Sequence, residues 1–272
     1  MSVKPLKLNS MTGAKWGEKG TLQIPVGPTY QELILETNAT AAELERVSIM
    51  LNTTEIYVLT GSELLMLELY KKIEATAGIF VIPFADIVAR TQNGVRYTGL
   101  VTELGDNITL DIQFKAKAAG ADPLTIQTWA HVTAAEPMRV VVPHIKRQTM
   151  SANAQGENEF TSLVASPHIA IRRMHFKHAN ITKMKIERDF NKEYEATKLI
   201  NTANTKRNER TPQAGYFHFD PIVRGFSIND LFPTAHSSNL TFTVTTSDIA
   251  GSIPILVESV EVVRPEMLQR NQ

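Results

Sequence analysis

"AGIFVIPFAD" occupies residues 77–86 and "AGYFHFDPIV" residues 214–223. Each opens Ala-Gly, then runs aromatic and apolar side chains at a period of two, then reaches a proline. They lie 137 residues apart in a chain of 272. Further echoes follow in the same order. "LERVSIML" (44–51) matches "ITKMKIER" (181–188), again at 137. "TLQIPVGPTYQELIL" (21–35) sits opposite "FTSLVASPHIAIRR" (160–173) at about 138. "DNITLDIQF" (106–114) resembles "SNLTFTVTT" (238–246) at 132, and "PLTIQTWAHV" (123–132) pairs with "IPILVESVEV" (253–262) at 130. Ordered matches with drifting spacing are the mark of a duplicated fold whose loops have changed length. The expected units are residues 1–138 and 139–272, each long enough to own a core.

Strand signals dominate. In the first copy they fall at about 21–27, 30–37, 45–51, 54–59, 78–84, 95–103, 107–114 and 124–133. In "ITLDIQF", Ile108, Leu110, Ile112 and Phe114 alternate with polar partners, as a half-buried antiparallel strand requires. Leu240, Phe242 and Val244 repeat the pattern in "LTFTVT". Gly27-Pro28, Asn52-Thr53, Asn93-Gly94 and Gly105-Asp106 mark turns. "TGSELLMLELYKKI" starts with Thr60 and has Glu63 three residues on, a capping-box spacing. Leu64 and Leu67 then mark its apolar face, and Lys71–Lys72 place cations at its C-terminal end. "EATKLINTANTKRNER" fills the same slot in the second copy with a more polar helix, read as a surface excursion. Eight short antiparallel strands per copy with one inserted helix predict an all-β chain of two tandem eight-stranded jelly rolls, a double jelly roll. The connection spans about 134–157; within it "MSANAQGENE" reads as loop and "MRVVVPHIKR" as an edge strand bridging the copies.

Charge balances at 28 basic against 28 acidic residues, yet the first half carries 11 against 15 and the second 17 against 13. Opposite signs on the halves suit copies packed head to tail in a ring. With no cysteine, disulfides, zinc fingers, iron–sulfur clusters and thiol nucleophiles are excluded. No apolar run reaches the roughly 18–20 residues of a membrane-spanning helix, and "MSVKPLKLNSMTGAKWGEKG" lacks the apolar stretch of a signal peptide. The Asn-x-Thr triplets at Asn38, Asn52, Asn107, Asn180 and Asn239 therefore read as turn chemistry.

Catalytic constellations are missing. A metal-dependent cupin would need His-x-His on a strand, and none occurs among His131, His144, His168, His175, His178, His218 and His236. The odd spacing of His175 and His178 puts them on opposite strand faces. His218 and Asp220 share a face and read as a buried, hydrogen-bonded pair. There is no phosphate-binding loop, dinucleotide fingerprint or calcium loop. "IRRMHFKH" (171–178), with Arg172, Arg173 and Lys177, reads as an interface strip or a solvated edge rather than a specific nucleic-acid site. No catalytic, cofactor or metal residue is assigned.

The N-terminal third resembles a known family. "LNSMTGAKWGEKGTLQIPVGPTYQELILE" (8–36), followed by "ELERVSIMLNTTEIYVLTGSELLMLELYKKI" and "AGIFVIPFAD", is similar to the major capsid proteins of corticovirus-type phages. These are tailless icosahedral bacterial viruses with a membrane beneath the shell. Leu22, Ile24, Pro25, Gly27, Thr29 and Tyr30 carry the likeness, which is clear over about 8–90 and topological beyond. It implies two upright jelly rolls per subunit and a homotrimer whose six sandwiches form a pseudo-hexagonal capsomer. Neighbouring capsomers, vertex or minor capsid proteins and the underlying viral membrane would be its partners, in a virion assembled in the bacterial host cytoplasm. It also implies calcium in the shell, with no ligand assignable to a residue. Two other readings stand beside it. One is a tandem carbohydrate- or receptor-binding sandwich of a spike, for which Trp16 and Trp129 are the available tryptophan platforms. The other is a double cupin enzyme.

Overall fold

A computed structural model describes residues 3–268. The alternation read from the sequence is why strands dominate it. Along Ile108–Phe114 every second side chain, Ile108, Leu110, Ile112 and Phe114, is fully buried, and the intervening ones are half-exposed.

The first half runs β1 (Lys4–Lys7), β2 (Lys19–Ile24), β3 (Thr29–Thr37), β4 (Leu44–Leu51), β5 (Thr54–Leu59), helix α1 (Gly61–Tyr70), β6 (Ile79–Pro83), α2 (Gln92–Tyr97), β7 (Leu100–Val101), β8 (Ile108–Phe114) and β9 (Ile126–Thr133). The second half runs β10 (Val141–Ala152), β11 (Gly156–Phe160), β12 (Ile169–Lys177), β13 (Ile181–Arg188), β14 (Asn191–Thr197), α3 (Lys198–Arg207), β15 (Tyr216–Phe219), β16 (Phe232–Pro233), β17 (Leu240–Thr246), β18 (Gly251–Val262) and α4 (Pro265–Leu268).

The strand orders coincide. One sheet of the first half reads β1-β9-β3-β6 with β7 on β3; its counterpart reads β10-β18-β12-β15 with β16 on β12. The facing sheets read β2-β8-β4-β5 and β11-β17-β13-β14. Each half is thus a jelly roll of two four-stranded sheets with a short extra strand. The duplication reaches single residues. Asn52 and Asp189, Lys72 and Glu209, and Gly78 and Gly215 all have positive φ, and each pair is 137 residues apart. Thr60 and Thr197, also 137 apart, cap α1 and α3. In α1 the capping box is complete: Glu63 N–H donates to Thr60 Oγ1, and Thr60 N–H donates to the Glu63 carboxylate. Asn52 Oδ1 accepts from Asn107 N–H, and the Asp189 carboxylate accepts from the N–H groups of Ser237, Ser238 and Asn239, so the expected turn chemistry closes the same corner in both halves.

A bulge is also duplicated. The register of β3 shifts between Tyr30 and Glu32, and that of β12 between Ile171 and Arg173. These registers correct two sequence matches, since β3 and β12 correspond at an offset of 141 rather than about 138. Leu33 faces Ile82 and Ala130, while Met174 faces Phe219 and Val257. β9 and β18 therefore correspond at an offset of 127, not 130. An offset of the wrong parity would turn every core side chain to the opposite face.

Two further expectations differ from the structure. Residues 95–103 are not a strand: Thr91 Oγ1 accepts from Gly94 N–H and starts α2, leaving pairing only at Leu100–Val101 against β3. The "MRVVVPHIKR" stretch is not an edge, and "MSANAQGENE" is not all loop. β10 runs unbroken to Ala152, pairs antiparallel with β18 over its whole length, and meets β5 in parallel at Ile145–Tyr57. Its start, Val141–Ile145, is buried on every residue, as an apolar run without alternation requires of a strand covered on both faces.

That single parallel bridge joins the two jelly rolls into one nine-stranded sheet. Because β5 and β10 run the same way, the two sandwiches stand side by side with like ends together. There are two cores. The second, built on Met174, Phe176, Met184, Ile186, Phe217 and Phe242, contains only second-half residues. The first, built on Leu33, Leu35, Val47, Ile49 and Leu110, also takes in Val142, Ile145 and Leu256 from the second half. Burying each such side chain stabilises by about 1.5–3 kcal/mol, so the halves are held together by apolar contact as well as by the bridge.

Candidate functional site

The seam between the sandwiches holds the densest chemistry in the chain. Its centre is Arg173, whose side chain is wholly buried. Ile171 and Met174 both join the second core although three residues apart, because the β12 bulge falls between them. Arg172 and Arg173 therefore both lie outside that core, facing the first sandwich.

Arg173 Nη2 donates to Asp86 Oδ2 at 2.9 Å and Nε donates to Asp220 Oδ2 at 3.1 Å; Nη1 lies 3.6 Å from Glu258 Oε2. Asp86 follows β6 in the first half, while Asp220 follows β15 and Glu258 lies on β18 in the second. The aspartates of the two opening stretches, "AGIFVIPFAD" and "AGYFHFDPIV", thus meet on one guanidinium. Tyr70, at the end of α1, donates its hydroxyl to Asp220 at 2.9 Å, and Ser227 Oγ donates to Asp86 at 2.9 Å. Arg172 donates to the Phe84 carbonyl at 3.3 Å. Burial raises the cost of each charge, and the opposite charges overcome it. For Asp86, burial pushes the carboxyl up, but Arg173 and Arg172 hold it well below the usual carboxylate range. For Glu258, burial again opposes ionisation, yet Arg173 and the hydrogen bond from His175 win, and the group stays ionised far below its ordinary value. Arg173 is correspondingly held protonated: burial disfavours its charge, but Asp220, Asp86 and Glu258 outweigh burial.

Beside this cluster runs a histidine chain whose tautomers the geometry dictates. Gln213 N–H donates to His218 Nε2 at 3.0 Å, so that nitrogen carries no proton. His218 must then hold its proton on Nδ1 and donate to His175 Nδ1 at 2.7 Å. His175 in turn carries its proton on Nε2 and donates to Glu258 Oε1 at 3.0 Å. Both rings are neutral, and Tyr70 packs against both, with ring centroids 4.4 Å from His218 and 5.3 Å from His175. Burial, then the neighbouring His175, keeps His218 well below the ordinary histidine range.

Several sequence expectations are corrected here. Of the two expectations for "IRRMHFKH", the solvated edge does not hold at its centre, since Arg172, Arg173 and His175 are buried at the interface between the sandwiches. His218 and Asp220 do not pair; the chain turns after β15, sending Asp220 to Arg173 and Tyr70 while His218 bonds His175. Lys71 is not a solvated cation at a helix end; it caps α1 at 3% exposure, and burial lowers its pKa despite Glu258. Sequence reasoning did not reach Tyr70, Lys71, Asp86 or Glu258 as members of one cluster. The available signal was two adjacent arginines inside an otherwise apolar strand.

The arrangement positions no nucleophile, and the polar groups hold each other across the seam. His175 lies on β12 with His178 just past its end, and His178 Nδ1 accepts only from Asn180 N–H. Among the described residues no three histidine, aspartate or glutamate side chains group as metal ligands, and the calcium implied by the family resemblance is assigned to no residue. Trp16 stacks under Lys117 and Trp129 donates to Glu36. Among the described residues, no helix is long and apolar enough to cross a membrane.

The comparisons agree with the architecture. The model of the viral coat protein P2 N-terminal domain matches residues 5–133, and that of the P2 C-terminal domain matches residues 142–263. No curated protein sequence matches. Among solved structures, the major capsid protein P2 from bacteriophage PM2 superposes with a TM-score of 0.88 at 16% identity, covering 96% of this chain and 98% of that one. The major capsid protein of the virus STIV gives 0.73 at 10% identity over 98% and 99% of the two chains. The PBCV-1 virus capsid protein gives 0.63 at 10% identity over 96% and 95%. With both jelly rolls matched in order by viral coat protein domains, the chain belongs to the viral coat protein P2 family, as a double jelly-roll capsid protein and not an enzyme.

Proposed function

We propose that this coat protein works as a homotrimer in which six upright sandwiches form a pseudo-hexagonal capsomer. Capsomers then tile an icosahedral shell over an internal membrane and meet minor proteins at the vertices. Assembly takes place in the cytoplasm of a bacterial host. The units of the repeat are residues 1–138 and 139–272, with the strand at Val141–Ile145 acting as the clasp between them.

One observation carries the reading. The two sandwiches share strand order and direction and are joined by a heterologous contact, the β5 edge of one against β10 of the other. Heterologous contacts close into rings when the rotation permits. A duplicated domain in a threefold ring presents six similar sides, which pack hexagonally where three would leave gaps. The opposite net charges of the halves favour the same head-to-tail order. The test is light scattering with negative-stain imaging of the purified chain. Six-lobed particles at three times the 30.2 kDa chain mass are expected; a stable monomer at micromolar concentration would refute the proposal.

A further inference from the structure

We propose that the seam inside the chain is built a second time between chains, with α3 and β14 of one copy seated on the outer face of the β1-β9-β3-β6 sheet of the next. The inference rests on the trimer reading and names the surfaces that make it.

The repeat assigns each seam residue a counterpart. On the donor side, β5 and α1 become β14 and α3 at an offset of 137. Tyr57 is fully buried on a strand flanked by β10, whereas its counterpart Tyr194 is half-buried and β14 is an open edge. Glu63, in the first turn of α1, reaches across to Arg147 of the second sandwich at 3.1 Å. Its counterpart in α3 is Ile200, 60% exposed beside Leu199 at 77%. Two large aliphatic side chains held in water on a short, otherwise polar helix have no role within the chain.

On the receiving side, strand register converts Ile145, Arg147, Leu256 and Tyr216 into Pro5, Lys7, Trp129 and Ile79. Three of these, Lys7, Trp129 and Ile79, line a groove of about 770 Å³ on the outer face of the first sandwich, together with Ile126 and the polar side chains of Glu36 and Gln127. β1 is a free edge with all four residues exposed. The first core borrows apolar side chains from its neighbouring sandwich, and the second core borrows none. A second copy of the chain supplies that missing neighbour.

The two contacts differ in chemistry at one point, and the difference gives them identity. Inside the chain Glu63 meets Arg147; between chains Ile200 meets Ile79, Trp129 and the stem of Lys7, whose ammonium lies 5.6 Å over the Trp129 ring. Swapping the helices would leave Arg147 facing Ile200, without the carboxylate it meets inside the chain.

The test uses the absence of cysteine in the natural chain. Purified Ile200→Cys/Ile79→Cys protein is treated with a short bis-maleimide and run on a denaturing gel beside each single variant. Covalent dimers and trimers are expected from the double variant alone. A light-scattering trimer that yields no covalent species overturns the inference and leaves the trimer reading standing; a chain that stays monomeric in both assays removes both. Ile200→Glu supplies a second readout. It should weaken association at least tenfold while the dilute chain melts as before, and an unchanged association constant would also overturn the inference.

Discussion

Replacing Arg173 with Met tests whether the seam is held by its charges. The side chain is fully buried and serves three carboxylates, at 2.9 Å (Asp86), 3.1 Å (Asp220) and 3.6 Å (Glu258). Methionine fills much of the volume, so the loss is electrostatic rather than a cavity. Removing one partner of a buried ion pair costs about 3–5 kcal/mol, because the remaining charge keeps its desolvation penalty. Here Arg172 and Lys71 still neutralise part of the cluster, which favours the lower end, about 3 kcal/mol. For a chain of this size that lowers the melting temperature by roughly 6–12 °C. The pH dependence carries a distinct signature. In the natural protein Asp86 and Glu258 have depressed pKa values, so their stabilisation is present above the unfolded carboxylate range and lost as pH falls through the folded values. Without Arg173, burial dominates, the folded pKa values rise, and the penalty becomes one that grows with pH. The variant's deficit should therefore shrink between pH 7 and pH 5. Differential scanning calorimetry at both pH values measures this. A melting temperature within 2 °C of the natural protein at pH 7, or a deficit that deepens on acidification, would show that the guanidinium is not what keeps those carboxylates in the seam.

Two other outcomes are expected. His218 is held neutral in the fold, so the unfolded chain alone takes up a proton as pH drops below about 6.5. Stability should be full above that pH and decline below it through this group, and His218→Asn should flatten the slope between pH 5 and 6.5; equal slopes in thermal melts would exclude the histidine chain as the acid-sensitive element. At the β4–β5 corner, Asn52 combines φ of 57° with a bond from Asn107 N–H. Asn52→Ala should cost about 2 kcal/mol in urea unfolding and Asn52→Gly about 1, since glycine restores the backbone freedom but not the bond; equal costs would mean that the left-handed backbone carries no strain.

The seam shows how duplicates diverge. Register places Glu32 and His131 of the first sandwich where the second has Arg173 and Glu258. In the first sandwich the pair bonds only within its own sheet, and it is partly exposed. In the second, the same two positions became the anchor for the neighbouring domain. The covered copy acquired buried charge, and the open copy retained a groove and an edge.

What the sequence determined by itself is what depends on near neighbours. Alternation in "ITLDIQF" and "LTFTVT" set which faces enter the cores. Thr60 with Glu63 set a helix start, and Asn52 set a turn, because each acts within a few residues. The echo between "AGIFVIPFAD" and "AGYFHFDPIV" pointed to a duplication, and the number and alternation of the strands named the double jelly roll. Tertiary structure alone decided the seam. Whether Arg172 and Arg173 face water or a partner depends on one bulged residue in β12, and whether β10 is an edge or a centre depends on β5 lying beside it. A slip of one residue reverses a side chain's face, and no local preference records which distant surface will cover it. The charges that join the two jelly rolls became legible only once Asp86, Arg173 and Glu258, far apart along the chain, were brought within ion-pairing distance.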